Sequence, residues 1–82
     1  MIRELDSVVL THDIDEHGLK RGDLGAVVHV YGENVAYEVE FVTADGYTAA
    51  LLTLMPADVR LMSGSEILNA RPLAKPEQVG TR

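Results

Sequence analysis

With 82 residues, no cysteine and a formal net charge of −6, the chain can form one small domain but no disulfide and no thiolate-bound metal site. A membrane-spanning helix needs about 18 consecutive apolar residues, and no apolar run of the sequence approaches that length. We therefore expect a cytoplasmic protein, and the N-terminus does not have the pattern of a signal peptide. Residues 1–46 carry ten acidic and three basic residues, whereas residues 47–82 carry three acidic and four basic ones. This distribution disfavours binding to a phosphate backbone and suits solubility or a basic protein partner.

The first predicted strand covers residues 6–11. Its central run, Val8-Val9-Leu10, is apolar without a break, which indicates burial on both faces or pairing near the centre of a small sheet. A polar loop follows at residues 12–18 and contains one large apolar side chain, Ile14. We expect Ile14 to close one end of the core.

Four glycines are predicted to shape the turns. Gly18, Gly22 and Gly25 precede or open the second strand, and Gly46 lies in a turn at residues 43–46. Glycine is favoured where the backbone needs a positive φ or where another strand approaches closely. We therefore expect side chains to be poorly tolerated at these positions, and at Gly25 above all.

The second predicted strand covers residues 24–31 and is dominated by β-branched side chains, which favour a pleated surface. Alternation along a strand divides its side chains into two sets. The small aliphatic set, which we assign to the core, is Leu24, Ala26, Val28 and Val30. The set that we assign to the outer surface is Val27, His29 and Tyr31.

The third predicted strand, residues 36–42, shows the strictest alternation of the chain and follows a hairpin connection at residues 32–35. Tyr37, Val39 and Phe41 are expected in the core, and Glu38 and Glu40 are expected to face water.

The remaining predicted elements are shorter or less regular. A fourth strand at residues 47–54 breaks its alternation at Leu51-Leu52, which predicts a bulge or burial on both faces. A single 3₁₀ turn at residues 56–58 and a last strand at 59–62 complete a domain of residues 1–62.

Two segments follow the predicted domain. Residues 63–73 form a C-terminal extension that could add an edge strand or one helical turn. An extended conformation is favoured because Pro72 disfavours helical geometry at Arg71. The composition of residues 74–82 predicts a disordered tail.

Four motifs together resemble a known family of short prokaryotic proteins. They are Leu5-Asp6-x-Val8-Val9-Leu10, Gly18-Leu19-x-x-Gly22-Asp23-x-Gly25-x-Val27-Val28, Tyr37-Glu38-Val39-Glu40-Phe41 and Leu52-Thr53-Leu54. The family is catalogued as domain of unknown function 4926, and the resemblance covers about residues 4–61. It implies an all-β, five-stranded SH3-like barrel that is similar to KOW-type barrels, and it implies no activity. It also fits a two-protein pairing of the toxin–antitoxin type, with this chain as the acidic partner.

Catalytic and metal chemistry find little support in the sequence. His12 and His17 share a loop with Asp13, Asp15 and Glu16, which are suitable ligand types, but their spacing matches no known metal site. The serines lack a nucleophile elbow, and Glu38 and Glu40 lie on an open strand face where their pKa values would not be tuned. We therefore predict that the chain is not an enzyme and uses no cofactor or metal.

A binding face is the remaining candidate site. The side chains expected on it are His29, Tyr31, Glu38, Glu40 and Tyr47. Aromatic residues beside acids suit a basic or proline-containing peptide, although Tyr31 and Tyr47 could equally cover the ends of the barrel. The first hypothesis is a protein-interaction module. The alternatives are a nucleic-acid-associated or ribosome-associated KOW-like barrel and a self-assembling dimer, in which Arg60 and Arg71 could pair with the acidic half of a second copy.

Overall fold

Five antiparallel β-strands make up the regular structure of residues 1–73, the part of the chain that the computed structural model describes. The strands are β1 (Ser7–Leu10), β2 (Leu24–Tyr31), β3 (Ala36–Val42), β4 (Thr48–Leu54) and β5 (Val59–Leu61). Two 3₁₀ turns, Asp15–His17 and Pro56–Asp58, lie after β1 and before β5. The tail predicted for residues 74–82 lies outside the described residues.

The strands form one sheet in the order β4-β3-β2-β1-β5. All five strands contribute to a single hydrophobic core, so the sheet curls on itself into an SH3-like barrel that stays open between β4 and β5. The all-β fold predicted from the sequence is therefore confirmed. The buried core residues are Val8, Leu10, Leu19, Val27, Tyr37, Val39, Phe41, Ala50, Leu54 and Val59. Ile14 packs against the edge of this core, as expected. Within residues 1–73, no helix is long and apolar enough to cross a membrane.

Strand β3 follows its predicted alternation. Tyr37, Val39 and Phe41 are at most 4% exposed, and Glu38 and Glu40 lie on the opposite, outer face. The assignment of these five side chains is confirmed, because a strict period of two leaves a strand only one way to bury its apolar side chains.

Strand β2 contains a bulge that the sequence pattern did not reveal. Val27 pairs with Val39, but His29 pairs with the adjacent Glu38, so Val28 is an extra residue in β2. A bulge reverses which side chains face the core on its two sides. Before the bulge Gly25 and Val27 point inward, and after it Val30 packs against the core.

The predicted inward set of β2 is therefore wrong for three of its four members, and Val27 was wrongly placed outside. The exposed residues that were expected in the core are Leu24, Ala26 and Val28. His29 and Tyr31 do lie on the outer surface, as predicted.

Gly25 occupies a position with no space for a side chain. A Cβ atom there would lie 2.5 Å from Val39 Cγ1 and 2.8 Å from Phe41 Cε2. Gly18, Gly22 and Gly46 instead have positive φ angles of 71°, 96° and 92°. The absence of a side chain at Gly25 thus lets the inward face of β2 lie against the aromatic ring of β3.

Strand β4 keeps its alternation through Leu51-Leu52. Ala50 and Leu54 are buried and Leu52 packs against the core, whereas Leu51 is 54% exposed on the outer face. The bulge or two-sided burial predicted at this pair is wrong. The register shift lies nearer the start of the strand, between the pairs Phe41–Ala50 and Val42–Thr48.

The C-terminal extension, residues 63–73, forms neither the predicted edge strand nor a helix. Two ion pairs attach it to the barrel. Arg60 Nη1 and Nη2 donate to Glu66 Oε1 and Oε2 at 3.1 and 2.6 Å, and this hydrogen bonding lowers the pKa of Glu66 to about 2. Arg71 donates from Nε and Nη2 to the two carboxylate oxygens of Asp23 at 2.9 and 2.5 Å.

The Asp23–Arg71 pair is the more enclosed of the two. Arg71 Nη2 also donates to the carbonyl oxygen of Gly18 at 2.9 Å. Burial raises the pKa of Asp23, but hydrogen bonds from Arg71 and from the backbone of Lys20 outweigh burial and hold that pKa below its usual value. Both arginines that could have paired with a second copy are thus bound within their own chain.

Candidate binding face

Four of the five side chains that were predicted to form a binding face lie on the outer surface of β2 and β3. His29 follows the bulge of β2 and pairs across the sheet with Glu38, and Glu38 pairs in turn with Thr53 of β4. Glu40 pairs with Leu51. We call this surface the acidic face, and its residues are His29, Tyr31, Glu38, Glu40, Thr48, Leu51 and Thr53.

Hydroxyl groups orient both carboxylates of the acidic face. Tyr31 Oη and Thr53 Oγ1 donate to the same oxygen of Glu38, Oε1, at 3.2 and 2.5 Å. Thr48 Oγ1 donates to Glu40 Oε2 at 3.0 Å. The carboxylates are therefore held against the sheet, and each keeps an oxygen that is not used in these hydrogen bonds.

The aromatic part of the face is also ordered. The rings of His29 and Tyr31 meet edge to face, with centroids 4.6 Å apart and an interplanar angle of 77°. His29 Nδ1 lies 3.5 Å from Glu4 Oε2. Tyr31 is 39% exposed, so it presents apolar area and a hydroxyl beside the two carboxylates.

Within residues 1–73, no lysine or arginine forms an ion pair with these carboxylates. The sequence has neither residue type between Arg21 and Arg60. The lysine and arginine side chains that form ion pairs among the described residues contact Asp13, Asp15, Glu66 and Asp23 instead. Within the described part of the chain, the side-chain hydrogen bonds of Glu38 and Glu40 thus come from hydroxyl groups. Two neighbouring carboxylates without an ion-pair partner there favour the approach of a cation.

Tyr47 belongs to a different surface. It follows the β3–β4 turn and lines a cleft together with Asp15, His17, Arg71 and Leu73. This cleft lies where the loop after β1 meets the C-terminal extension, so Tyr47 does not extend the aromatic pair formed by His29 and Tyr31.

The histidines of the loop after β1 are not gathered into a metal site. Across residues 1–73, no group of three or more His, Asp or Glu side chains could hold a metal ion. His12 Nε2 lies 2.8 Å from Asp58 Oδ1, and His12 Nδ1 lies 2.9 Å from the carbonyl oxygen of Asp13. Both contacts are with acceptor oxygens, so the ring donates to both only when it is protonated. The hydrogen bond to Asp58, followed by that to Asp13, accordingly raises the pKa of His12.

Sequence reasoning missed the residues that β4 contributes to the acidic face. Thr48, Leu51 and Thr53 reach it only through the register of the β3–β4 hairpin. The turn at residues 43–46 could have suggested that register, but the shift between Phe41 and Val42 alters it by one residue. The Asp23–Arg71 pair was also missed, because its members are 48 positions apart in the sequence.

Comparisons with curated proteins and with solved structures found no match. The profile of the family described as "Domain of unknown function (DUF4926)" matches residues 4–61. This match spans all five strands, and it confirms the resemblance read from the sequence motifs. The chain belongs to the DUF4926 family.

Proposed function

We propose that this chain is a non-enzymatic, cytoplasmic protein-interaction module and that its acidic face binds a positively charged segment of another protein. The observation that carries the proposal is the pair of neighbouring carboxylates, Glu38 and Glu40, on the outer face of β3. Hydroxyl groups orient both carboxylates, and no lysine or arginine among the described residues neutralises them. The chain would be the acidic member of a two-protein pair.

The chemistry of the face suits a protein better than a phosphate backbone. A net charge of −6 repels polyanions at long range and accelerates the approach of a basic partner. Three of the basic side chains, Lys20, Arg60 and Arg71, are engaged in ion pairs within the chain. Phosphate binding by any of these three side chains would therefore compete with their internal ion pairs.

Affinity on such a face must come from area as well as charge. Exposed ion pairs contribute only about 0.2–1 kcal/mol each, because water and salt screen them. Tyr31 and Leu51 add apolar area beside the carboxylates, and tyrosine is enriched at protein interfaces because it combines large area with a polar group. We therefore expect a partner segment that carries both basic and apolar side chains.

A capture experiment with charge-matched variants tests the proposal. The tagged protein is purified from the cells that naturally produce it, as wild type, as Glu38→Gln/Glu40→Gln and as the control Glu16→Gln/Glu33→Gln. Both variants remove two negative charges, but Glu16 and Glu33 are exposed and lie outside the strands that carry Glu38 and Glu40 and their hydroxyl partners. We expect wild type and control to retain the same basic protein, and the face variant to lose it.

Salt and nuclease treatments complete this experiment. Retention should weaken as ionic strength rises from about 0.05 to about 0.5 M, because salt screens exposed charges. The proposal is wrong if Glu38→Gln/Glu40→Gln retains the partner as well as the control does. It is also wrong if the captured material is nucleic acid that nuclease removes.

A further inference from the structure

Strand β4 is an open edge of the sheet. Within the described residues it is the last strand in the order and pairs only with β3. It is seven residues long, which corresponds to about 23 Å of backbone. The side of β4 that faces away from β3 carries backbone N–H and C=O groups that can pair with another strand.

This edge lacks most of the features that usually prevent strand addition. Thr48–Leu54 contains no charged residue and no proline, and Leu51 is 54% exposed. The register shift lies near its beginning, which leaves residues 50–54 in regular pairing with β3. The opposite end of the sheet differs, because β5 has only three residues and Arg60 lies at its centre.

The free edge lies beside the two carboxylates of the acidic face. Thr53 is the cross-strand partner of Glu38, and Leu51 is the partner of Glu40. A residue added opposite Thr53 would lie two strand spacings, or roughly 10 Å, from the backbone of Glu38. An extended lysine or arginine can cross the small Thr53 side chain to the carboxylate, and a second one can lay its aliphatic stem over Leu51 toward Glu40.

We infer that the partner binds as an extra β-strand on β4, with basic side chains at every second position directed to Glu38 and Glu40. This inference rests on the proposed function, since it assumes that the acidic face is the recognition surface. Backbone hydrogen bonds to β4 would supply affinity, and the alternating cations would supply specificity. Side chains two apart on a strand share a face, and Glu38 and Glu40 have that same spacing.

Synthetic peptides test this mode of binding. The probe is the heptapeptide Thr-Arg-Val-Arg-Thr-Arg-Val with blocked ends, and its control has the same composition in the order Arg-Arg-Arg-Thr-Val-Thr-Val. Two further forms of the probe carry backbone N-methyl groups at either the even or the odd positions. Only alternate N–H groups of an added strand point at the edge, so one N-methylated form should lose binding and the other should keep it.

The expected results are specific to strand addition. The alternating peptide should bind more tightly than the block peptide, and hydrogen exchange should slow at alternate backbone amides of β4. Glu38→Gln/Glu40→Gln should weaken binding of the alternating peptide about tenfold at low salt, because two exposed ion pairs are lost. Glu16→Gln/Glu33→Gln should leave that binding unchanged.

The contrary outcomes separate this inference from the proposed function. Suppose that Glu38→Gln/Glu40→Gln weakens binding of the alternating peptide, but both N-methylated forms bind as tightly as the parent peptide. Strand addition is then wrong, and the proposal that the acidic face binds a basic segment is supported. If the alternating peptide does not bind, strand addition is wrong and the capture experiment decides the function alone. If β4 amides are already protected in a free protein that sediments as a dimer, a second copy occupies the edge and the inference fails. If Glu38→Gln/Glu40→Gln leaves binding of the alternating peptide unchanged, both strand addition and recognition by the acidic face are wrong.

Discussion

Replacing Gly25 with alanine should destabilise the barrel, because the added methyl group has no space. Its Cβ would lie 2.5 Å from Val39 Cγ1 and 2.8 Å from Phe41 Cε2, whereas carbon atoms in contact prefer about 3.5–4.0 Å. Val39 is 0% exposed and Phe41 is 2% exposed. Both side chains are enclosed by the core, so the overlap is relieved only by strained side-chain rotamers or by moving β2 away from β3.

The size of the effect follows from two opposing contributions. Overpacking a core by one methyl group costs about 1–3 kcal/mol. Alanine in a strand gains about 0.5–1 kcal/mol over glycine, because the unfolded chain loses less entropy on folding. The centres of these two ranges give a net loss of about 1.2 kcal/mol for Gly25→Ala, which is a sizeable fraction of the stability of so small a domain.

Urea denaturation followed by circular dichroism measures this loss. Gly64→Ala is the matched control, since a Cβ at Gly64 meets no atom within 4 Å, and its effect should stay within about 0.5 kcal/mol. Val39→Ala removes the nearest clashing atom. The cost of Gly25→Ala should therefore fall by at least about 0.5 kcal/mol in the Val39→Ala background. Equal midpoints for Gly25→Ala and Gly64→Ala would refute the steric argument, and so would an unchanged cost in the double variant.

Two further predictions concern the core and the loop after β1. Phe41→Ala should lower the free energy of unfolding by about 3–5 kcal/mol, and Glu40→Ala should lower it by no more than about 0.5 kcal/mol. If urea denaturation gives the two variants similar losses, the assignment of the two faces of β3 is wrong. The pKa of His12 is raised by its hydrogen bonds, so its contribution to stability should be complete below its unfolded pKa of about 6.5 and be lost as pH rises through the folded pKa. His12→Gln should flatten this part of the stability profile, and an unaltered profile would show that the contact to Asp58 does not stabilise the fold.

The strands were predictable because their pattern is local. The predicted second and third strands, at residues 24–31 and 36–42, coincide with β2 and β3, and the predicted 3₁₀ turn at 56–58 is the observed one. The first and fifth strands differ from prediction by one residue at an end or at both ends. Turn residues and alternation determine such elements within a few neighbours, so a single chain carries enough information.

The acidic face was only partly predictable, because only part of its arrangement follows from a local pattern. Strict alternation placed Glu38 and Glu40 on one face of β3. The hydroxyl groups that orient them come from Tyr31, Thr48 and Thr53, on two other strands. Which side chains meet across strands depends on register, and each of the two irregular pairings changes the register by one residue.

The amino-acid sequence by itself determined the all-β class, the positions of the strands along the chain and the inward side of β3, since these depend on local propensity and periodicity. The tertiary structure alone decided which face of β2 is buried, because Val28 became a bulge when the strand paired with β3. It likewise decided that Arg71 binds Asp23 and that residues 63–73 form no strand. A bulge and a long-range ion pair form where two distant segments meet, and neither leaves a periodic pattern in the segment that carries it.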